Sequence, residues 1–204
     1  MAGAKALDAL FHVEPTSAAN KGREMFYSSF YVADHTVHFY ALGAPDFVLG
    51  PDASPAERNI LGVVHKVGLE IGSQVIDCRI RNHHVIQMVG GRGVHPVAAL
   101  PGGWSKAITE EERQEIEEIA RKNVDFALFS LQLFADVVLG NKGYVDLVLS
   151  DAFTHRVHYM GTVDENNHVN FYDGMIRVVD PEGKEFVKYY ARDYFKHVAE
   201  RVEP

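Results

Sequence analysis

The sequence predicts an α+β protein, with long helices first and a small antiparallel sheet in the C-terminal third. Three observations carry that prediction. Apolar and aromatic residues recur at helical spacing through residues 16–42 and again through 110–139. After residue 143 the pattern changes to short alternating or β-branched runs separated by turn sequences. Between the two regimes lies GGRGVHPVAALPGG, residues 90–103, too rich in Gly and Pro for regular structure. The expected organisation is therefore a helical core segment over 1–142, containing the 90–103 loop, and a small β-sheet segment with a terminal helix over 143–204.

Taken in order, AGAKALDALF (2–11) has helical spacing. The next helix follows Pro15, with Thr16 or Ser17 as its cap. Met25, Phe26, Phe30, Val37 and Tyr40 form its apolar stripe, and Gly43 with Pro45 ends it. At 1.5 Å per residue such a helix is a strut of about 40 Å. Ser54-Pro55 reads as an N-cap followed by a proline at the first helical position. The run from there to Val89 suits two helices broken around Gly68 to Gly72. Thr109 with Glu112 three residues on is a capping box, and acidic residues crowd the first turn where the macrodipole favours them. The second half of that helix, DFALFSLQLFADVVL, is apolar nearly all round, so burial on most faces is expected. YVDLVLS, HRVHYMGTV, HVNFYDG and MIRVVD read as strands, DENNH and DPEGK as turns, and RDYFKHVAERV as a final helix.

Composition narrows the function. The chain has 204 residues, of which 47% are hydrophobic, enough for a real core. Its net charge of −8 and scattered Arg79, Arg81 and Arg92 argue against nucleic acid, which needs clustered cations. Cys78 is the single cysteine, so there is no disulfide framework and no C-x-x-C for zinc or an iron–sulfur cluster held by this chain alone. No apolar run approaches the roughly 18 residues of a membrane span, and the N-terminus does not read as a signal peptide. A cytoplasmic location is expected.

Candidate chemistry is sparse. His35 and His38 share a helix face and could in geometry bind a metal, but no HExxH-like carboxylate accompanies them, and imidazole packing is the commoner use of such a pair. His155 and His158 fall on opposite faces of a strand and are given no metal role. Asp34 lies in mid-helix among aromatic and apolar neighbours. Such a carboxylate is either on the solvated stripe, which periodicity alone favours, or buried for a reason. The glycines of 90–103 lack a nucleotide-binding pattern and suit a loop that lets another backbone approach.

Several strings carry a family resemblance. GGRGVHPVAALPGGWSKAITEEER (90–113) resembles the G-G-[RK]-x-x-H-P-x-x-x-x-P-G-G segment of nickel–iron hydrogenase large subunits. ADHTVHFYALGAPDFVLG (33–50) is similar to that family's D-H-x-x-H-F-Y helix. AGAKALDALF, NFYDGMIRVVDPEG (170–183) and DYFKHVAERVEP (193–204) match further blocks in family order, the second of them in the cytoplasmic, cofactor-linked branch. The resemblance implies the middle of such a large subunit, an excised domain lacking both cysteine motifs that hold the nickel–iron centre. It implies no cofactor and no metal in this piece, and hydrogenase activity in the intact parent but not here. Asp34 then corresponds to an orienting carboxylate beside the metal pair. Arg92 and His95 correspond to the surface that meets the iron–sulfur small subunit.

The expected partners are that small subunit, together with the remainder of the large one. The isolated chain should also self-associate through helix 16–42 or 110–139, as apolar faces lose their cover. Two other functions fit less well: a stand-alone cysteine-free hydrogenase relative, and the quinone-binding large subunit of respiratory complex I, which shares the ancestry.

Overall fold

The structure, a computed structural model, describes residues 1–202. The chain divides into two compact units, Met1–Val148 and Leu149–Pro204. The first is helical and the second holds a three-stranded antiparallel sheet, the α+β arrangement anticipated above.

In the first unit α1 (Ala2–Phe11) leads to α2 (Ser17–Val37), whose first turn is capped by the Thr16 hydroxyl accepting from the Ala19 amide at 3.2 Å. The expected stop at Gly43 and Pro45 does not occur. A π-helical turn, His38–Gly43, carries the helix directly into α3 (Ala44–Val48). A proline ring clashes with the carbonyl one regular turn earlier, and the wider π turn relieves that clash. Ser54-Pro55 starts no helix either; α4 (Ile60–Val67) begins later, capped by Asn59, whose Oδ1 accepts from the Leu61 and Gly62 amides at 2.9 and 3.2 Å. The chain doubles back tightly there, and a Cβ on Gly62 would lie 1.9 Å from the Glu57 carbonyl oxygen.

Gly68, at φ +97°, is the break before α5 (Leu69–Gly90), while Gly72 stays helical. The Gly/Pro loop contains a two-residue hairpin, β1 (Ala99–Leu100) with β2 (Gly103–Trp104), so it is more regular than its composition suggested. The Thr109–Glu112 capping box opens α6 (Glu110–Phe134), which ends in a second π turn, Ala135–Leu139. YVDLVLS is not a strand but lies largely in α7 (Lys142–Val148). Asn141 Oδ1 accepts from the Tyr144 amide there, and Lys142 pairs with Asp146 at 2.5 Å one turn on, both local helix signals that outweigh the β-branched residues.

The core lies where α2 and α6 flank α5. Phe26, Val85, Ile86, Val89, Ile116 and Ile119 form one cluster, and Tyr40, Cys78 and Phe126 a second. Each fully buried apolar side chain stabilises by about 1.5–3 kcal/mol. The expected all-round burial of the second half of α6 is not met within this chain. Val124, Leu128 and Leu131 are exposed, because only one face of α6 finds a neighbour.

In the second unit β3 (Tyr159–Val163), β4 (Met175–Val179) and β5 (Glu185–Tyr189) pair antiparallel in that order. HVNFYDG contributes only an isolated bridge, Val163 to Val169, because Asn170 Oδ1 accepts from the Tyr172 and Asp173 amides and folds the segment into a turn. The third strand comes instead from EFVKY. The expected final helix is a 3₁₀ turn, Ala191–Lys196, in which Lys196 pairs with Asp193 at the three-residue spacing that such a turn eclipses. Glu203 and Pro204, the last residues of the DYFKHVAERVEP block, lie outside the described residues. Among the described residues no single helix is long and apolar enough to cross a membrane. One pair bent by 90°, Glu110–Leu139 with Lys142–Val148, passes that test together by length and composition.

Candidate functional site

The sequence singled out two places, and helix geometry keeps them apart. Arg23, at the foot of the Gly/Pro loop, and Asp34 lie 11 residues apart on α2, about 16 Å along its axis. Asp34 is exposed, and its neighbour His35 stacks on Tyr31 with ring centroids 4.8 Å apart. His35 Nδ1 lies 3.0 Å from the Tyr31 carbonyl oxygen. His35 is thus engaged in helix-surface packing, and any burial of Asp34 must come from outside this chain.

Arg92 and His95 stand together at the tip of the loop, both exposed, with Val94 and Val97. His95 has φ +53°, a left-handed conformation that costs an ordinary side chain free energy and persists only where surroundings hold it. The holding is done at the loop's two feet. At the first, the Gly90 carbonyl oxygen accepts from the Val97 and Ala98 amides at 3.0 and 3.1 Å. At the second is a buried ion pair that the sequence reading missed. Arg23 Nη1 donates to Asp8 Oδ2 at 2.5 Å, and Nη2 donates to Asp8 Oδ1, Leu100 O and Gly103 O. Asp8 Oδ1 also accepts from the Gly102 amide at 2.7 Å. The Arg23 hydrogen bond, with the Gly102 amide behind it, holds the Asp8 carboxyl below the usual carboxylate range against the opposing effect of burial. The missed signal was positional: Arg23 falls on the same helical stripe as buried Ala19, Gly22, Phe26 and Ala33.

A second polar seam runs through the core. The Cys78 thiol, 1% exposed, lies 3.6 Å from Thr36 Oγ1, Asn123 Oδ1 and Asn82 Nδ2. Asn82 donates to the Cys78 carbonyl and accepts from Asn123 Nδ2 at 3.0 Å. Above it, between α2 and α6, open two adjoining hollows of about 340 and 380 Å³ that share Val32, Asn123 and Ala127. Their walls are apolar with scattered hydroxyls. Tyr40 shares a hydrogen bond of 2.8 Å with Ser130, and burial pushes its phenol up. Neither the seam nor the loop tip gathers the donor set of a metal centre.

No family model matches the chain. It is 46% identical over 203 residues to an iron-sulfur subunit of the F420-non-reducing hydrogenase of Archaeoglobus profundus, an alignment covering 100% of this chain and 42% of that protein. It is 37% identical to a vhu subunit of the F420-non-reducing hydrogenase of Methanocaldococcus jannaschii, over 100% of this chain and 47% of that one. A solved NAD+-reducing [NiFe]-hydrogenase chain superposes with a TM-score of 0.86 at 26% identity, covering 98% of this chain and 44% of the other. The chain is similar to hydrogenase subunits along its whole length. It spans less than half the length of these relatives.

The comparisons correct three expectations. The relative at 46% identity is named for iron and sulfur, which overturns both the large-subunit assignment and the scaffold role drawn from it. The stand-alone and complex I alternatives fall with that role, since the relatives matched are named as subunits of hydrogenases. The expectation of no cofactor does not stand either, for the same reason. Iron–sulfur clusters are held by several thiolates. This chain has one cysteine, buried in a hydrogen-bonded seam, and among its described residues no group of three or more His, Cys, Asp or Glu could hold a metal ion. These residues by themselves do not fit a cluster.

Proposed function

We propose that the chain serves within the iron–sulfur subunit of an F420-non-reducing type of hydrogenase, an oxidoreductase that turns over H2, and contributes a docking loop to it. The observation that carries this is the 46% identity running along the whole chain. The partner is another subunit of the same hydrogenase, with Arg92 and His95 on the surface that meets it. Asp34 is the orienting carboxylate toward a centre supplied elsewhere in the assembly, which its exposure on α2 permits. A cytoplasmic site of action belongs to the same proposal, supported by the match to a hydrogenase that reduces NAD+, a soluble nucleotide.

The experiment is co-expression of the intact protein with the other subunits of its hydrogenase, followed by size-exclusion chromatography and hydrogen-dependent viologen reduction. Co-elution with activity is expected. Arg92→Ala should lower co-elution, whereas Asp34→Asn should lower turnover and leave co-elution unchanged. A protein that never co-elutes with hydrogenase subunits, or a complex without hydrogen-dependent reduction, overturns the proposal.

A further inference from the structure

We infer that the buried Asp8–Arg23 pair is the positioning element of the docking loop, holding residues 91–103 so that Arg92, Val94 and Val97 stand out as a preformed protrusion for a partner surface that offers a carboxylate within an apolar rim. The inference rests on the docking role proposed above and adds the device that makes the loop competent for it.

The hydrogen bonds single the pair out. Beyond their mutual contact, the two side chains bind backbone groups of the loop. Leu100 O lies 2.7 Å and Gly103 O 3.1 Å from Arg23 Nη2, and the Gly102 amide lies 2.7 Å from Asp8 Oδ1. Three closely spaced backbone groups of the hairpin thus end on one ion pair. A buried ion pair is a poor source of net stability compared with apolar packing, so its value lies in fixing geometry. Guanidinium suits that task, since its fixed fork reaches a carboxylate and two carbonyls together, which an ammonium does not. Gly102, at φ +70° with Val13 where its Cβ would point, closes the hairpin against the segment that follows α1. The other foot is tied at Gly90 through the Val97 and Ala98 amides. Between the two feet, residues 92–96 rise free of backbone hydrogen bonds among the described residues.

The tip has the chemistry of a binding anchor. Val94 is 67% exposed and Val97 57%. Arg92 makes no hydrogen bond or ion pair among the described residues, so its donors are available. Arginine is enriched among hot-spot residues, and its planar donors match a carboxylate bidentately. A loop held in its bound shape loses less conformational freedom on docking, so a residue beneath the loop can control affinity without touching the partner.

The test uses amide hydrogen exchange on the full chain, with docking measured on the co-expressed hydrogenase subunits. Asp8→Asn removes the charge at nearly constant volume. The amides of Val97, Ala98 and Gly102 should exchange about tenfold faster or more, while those of α6 stay within about twofold. Arg23→Lys, which keeps the charge but not the fork, should show the same local pattern and serves if Asp8→Asn does not fold. In docking, Asp8→Asn and Arg92→Ala should each weaken the complex. The double variant should be no weaker than the weaker single one, because both act through one tip.

Unchanged loop exchange overturns the inference, as does acceleration spread evenly over α2, α5 and α6, or strictly additive docking losses. If Arg92→Ala leaves docking intact, the docking role itself is wrong, and the exchange result still decides whether Asp8 and Arg23 hold the loop.

Discussion

Gly90→Ala puts one methyl group into the junction where α5, α2 and the Gly/Pro loop meet, and its effect can be worked from distances. A Cβ there would lie 2.9 Å from Phe26 Cε2, 3.1 Å from Phe26 Cδ2 and 2.9 Å from Pro96 Cβ, where ordinary contact begins at 3.4 Å. None of these neighbours yields cheaply. Phe26 is 7% exposed and packs on Trp104 with centroids 5.9 Å apart, and the Pro96 ring is rigid. The loop cannot simply lift, since the Val97 and Ala98 amides bind the Gly90 carbonyl oxygen itself. Overpacking of this kind costs about 1–3 kcal/mol. Against it stands the helix preference for alanine over glycine, at most about 1 kcal/mol and less at the last helical residue. The balance is a net loss of about 1–2 kcal/mol, or about 2–8 °C in Tm for a unit of this size.

Gly3→Ala is the matched control. Gly3 is an exposed residue of α1 with nothing within 4 Å of its Cβ position, so the same change should raise stability by up to about 1 kcal/mol. Differential scanning calorimetry measures both. A Gly90→Ala protein as stable as the parent, or more so, refutes the close packing of loop on helix from which the estimate is built.

Three further outcomes are expected. The Asp8 carboxyl titrates lower folded than unfolded, so its contribution is present above about pH 4 and is lost as pH falls through the lower folded value. Asp8→Asn should cost about 3–5 kcal/mol at neutral pH and flatten acid denaturation, as urea titrations from pH 7 to pH 2 will show; an unchanged acid limb contradicts this. Thr109→Ala removes the cap of α6 and should cost about 1 kcal/mol in the same titration, with Thr109→Ser retaining most of it. The isolated chain should self-associate through the exposed Val124, Leu128 and Leu131 of α6, and Leu131→Asp should shift it toward monomer by light scattering; a parent that is monomeric throughout removes the premise.

How much could be read without coordinates follows from the range of each signal. The α6 cap was legible because Thr109 and Glu112 are three residues apart and need no third party. The break at Gly68 was legible because a positive φ there suits glycine. YVDLVLS was misread because β-branched composition resembles a strand, while the Asn141 cap and the Lys142–Asp146 pair acted locally for a helix. The stop expected at Pro45 assumed regular α geometry, and a π turn supplied another way to pass a proline. At the candidate site Arg92 and His95 were named from the family resemblance, since the local pattern of glycines and prolines indicated only a loop. The pair beneath them could not be named, because Asp8, Arg23 and the hairpin they hold lie on three segments far apart in the chain.

The sequence by itself determined the α+β class, the capped helices and the glycine-rich loop, since each is written in spacings of a few residues where local sterics and hydrogen bonds decide. The ordered blocks pointed to hydrogenases only coarsely, and to a large subunit where the relative at 46% identity is named an iron-sulfur subunit. Only the tertiary structure decided that Asp34 is exposed, that Cys78 sits in a polar seam, and that an aspartate and an arginine 15 residues apart tie down one foot of a loop beginning some 70 residues later. Burial and ion pairing depend on which surfaces meet, and in this chain the deciding meetings are between residues distant along it.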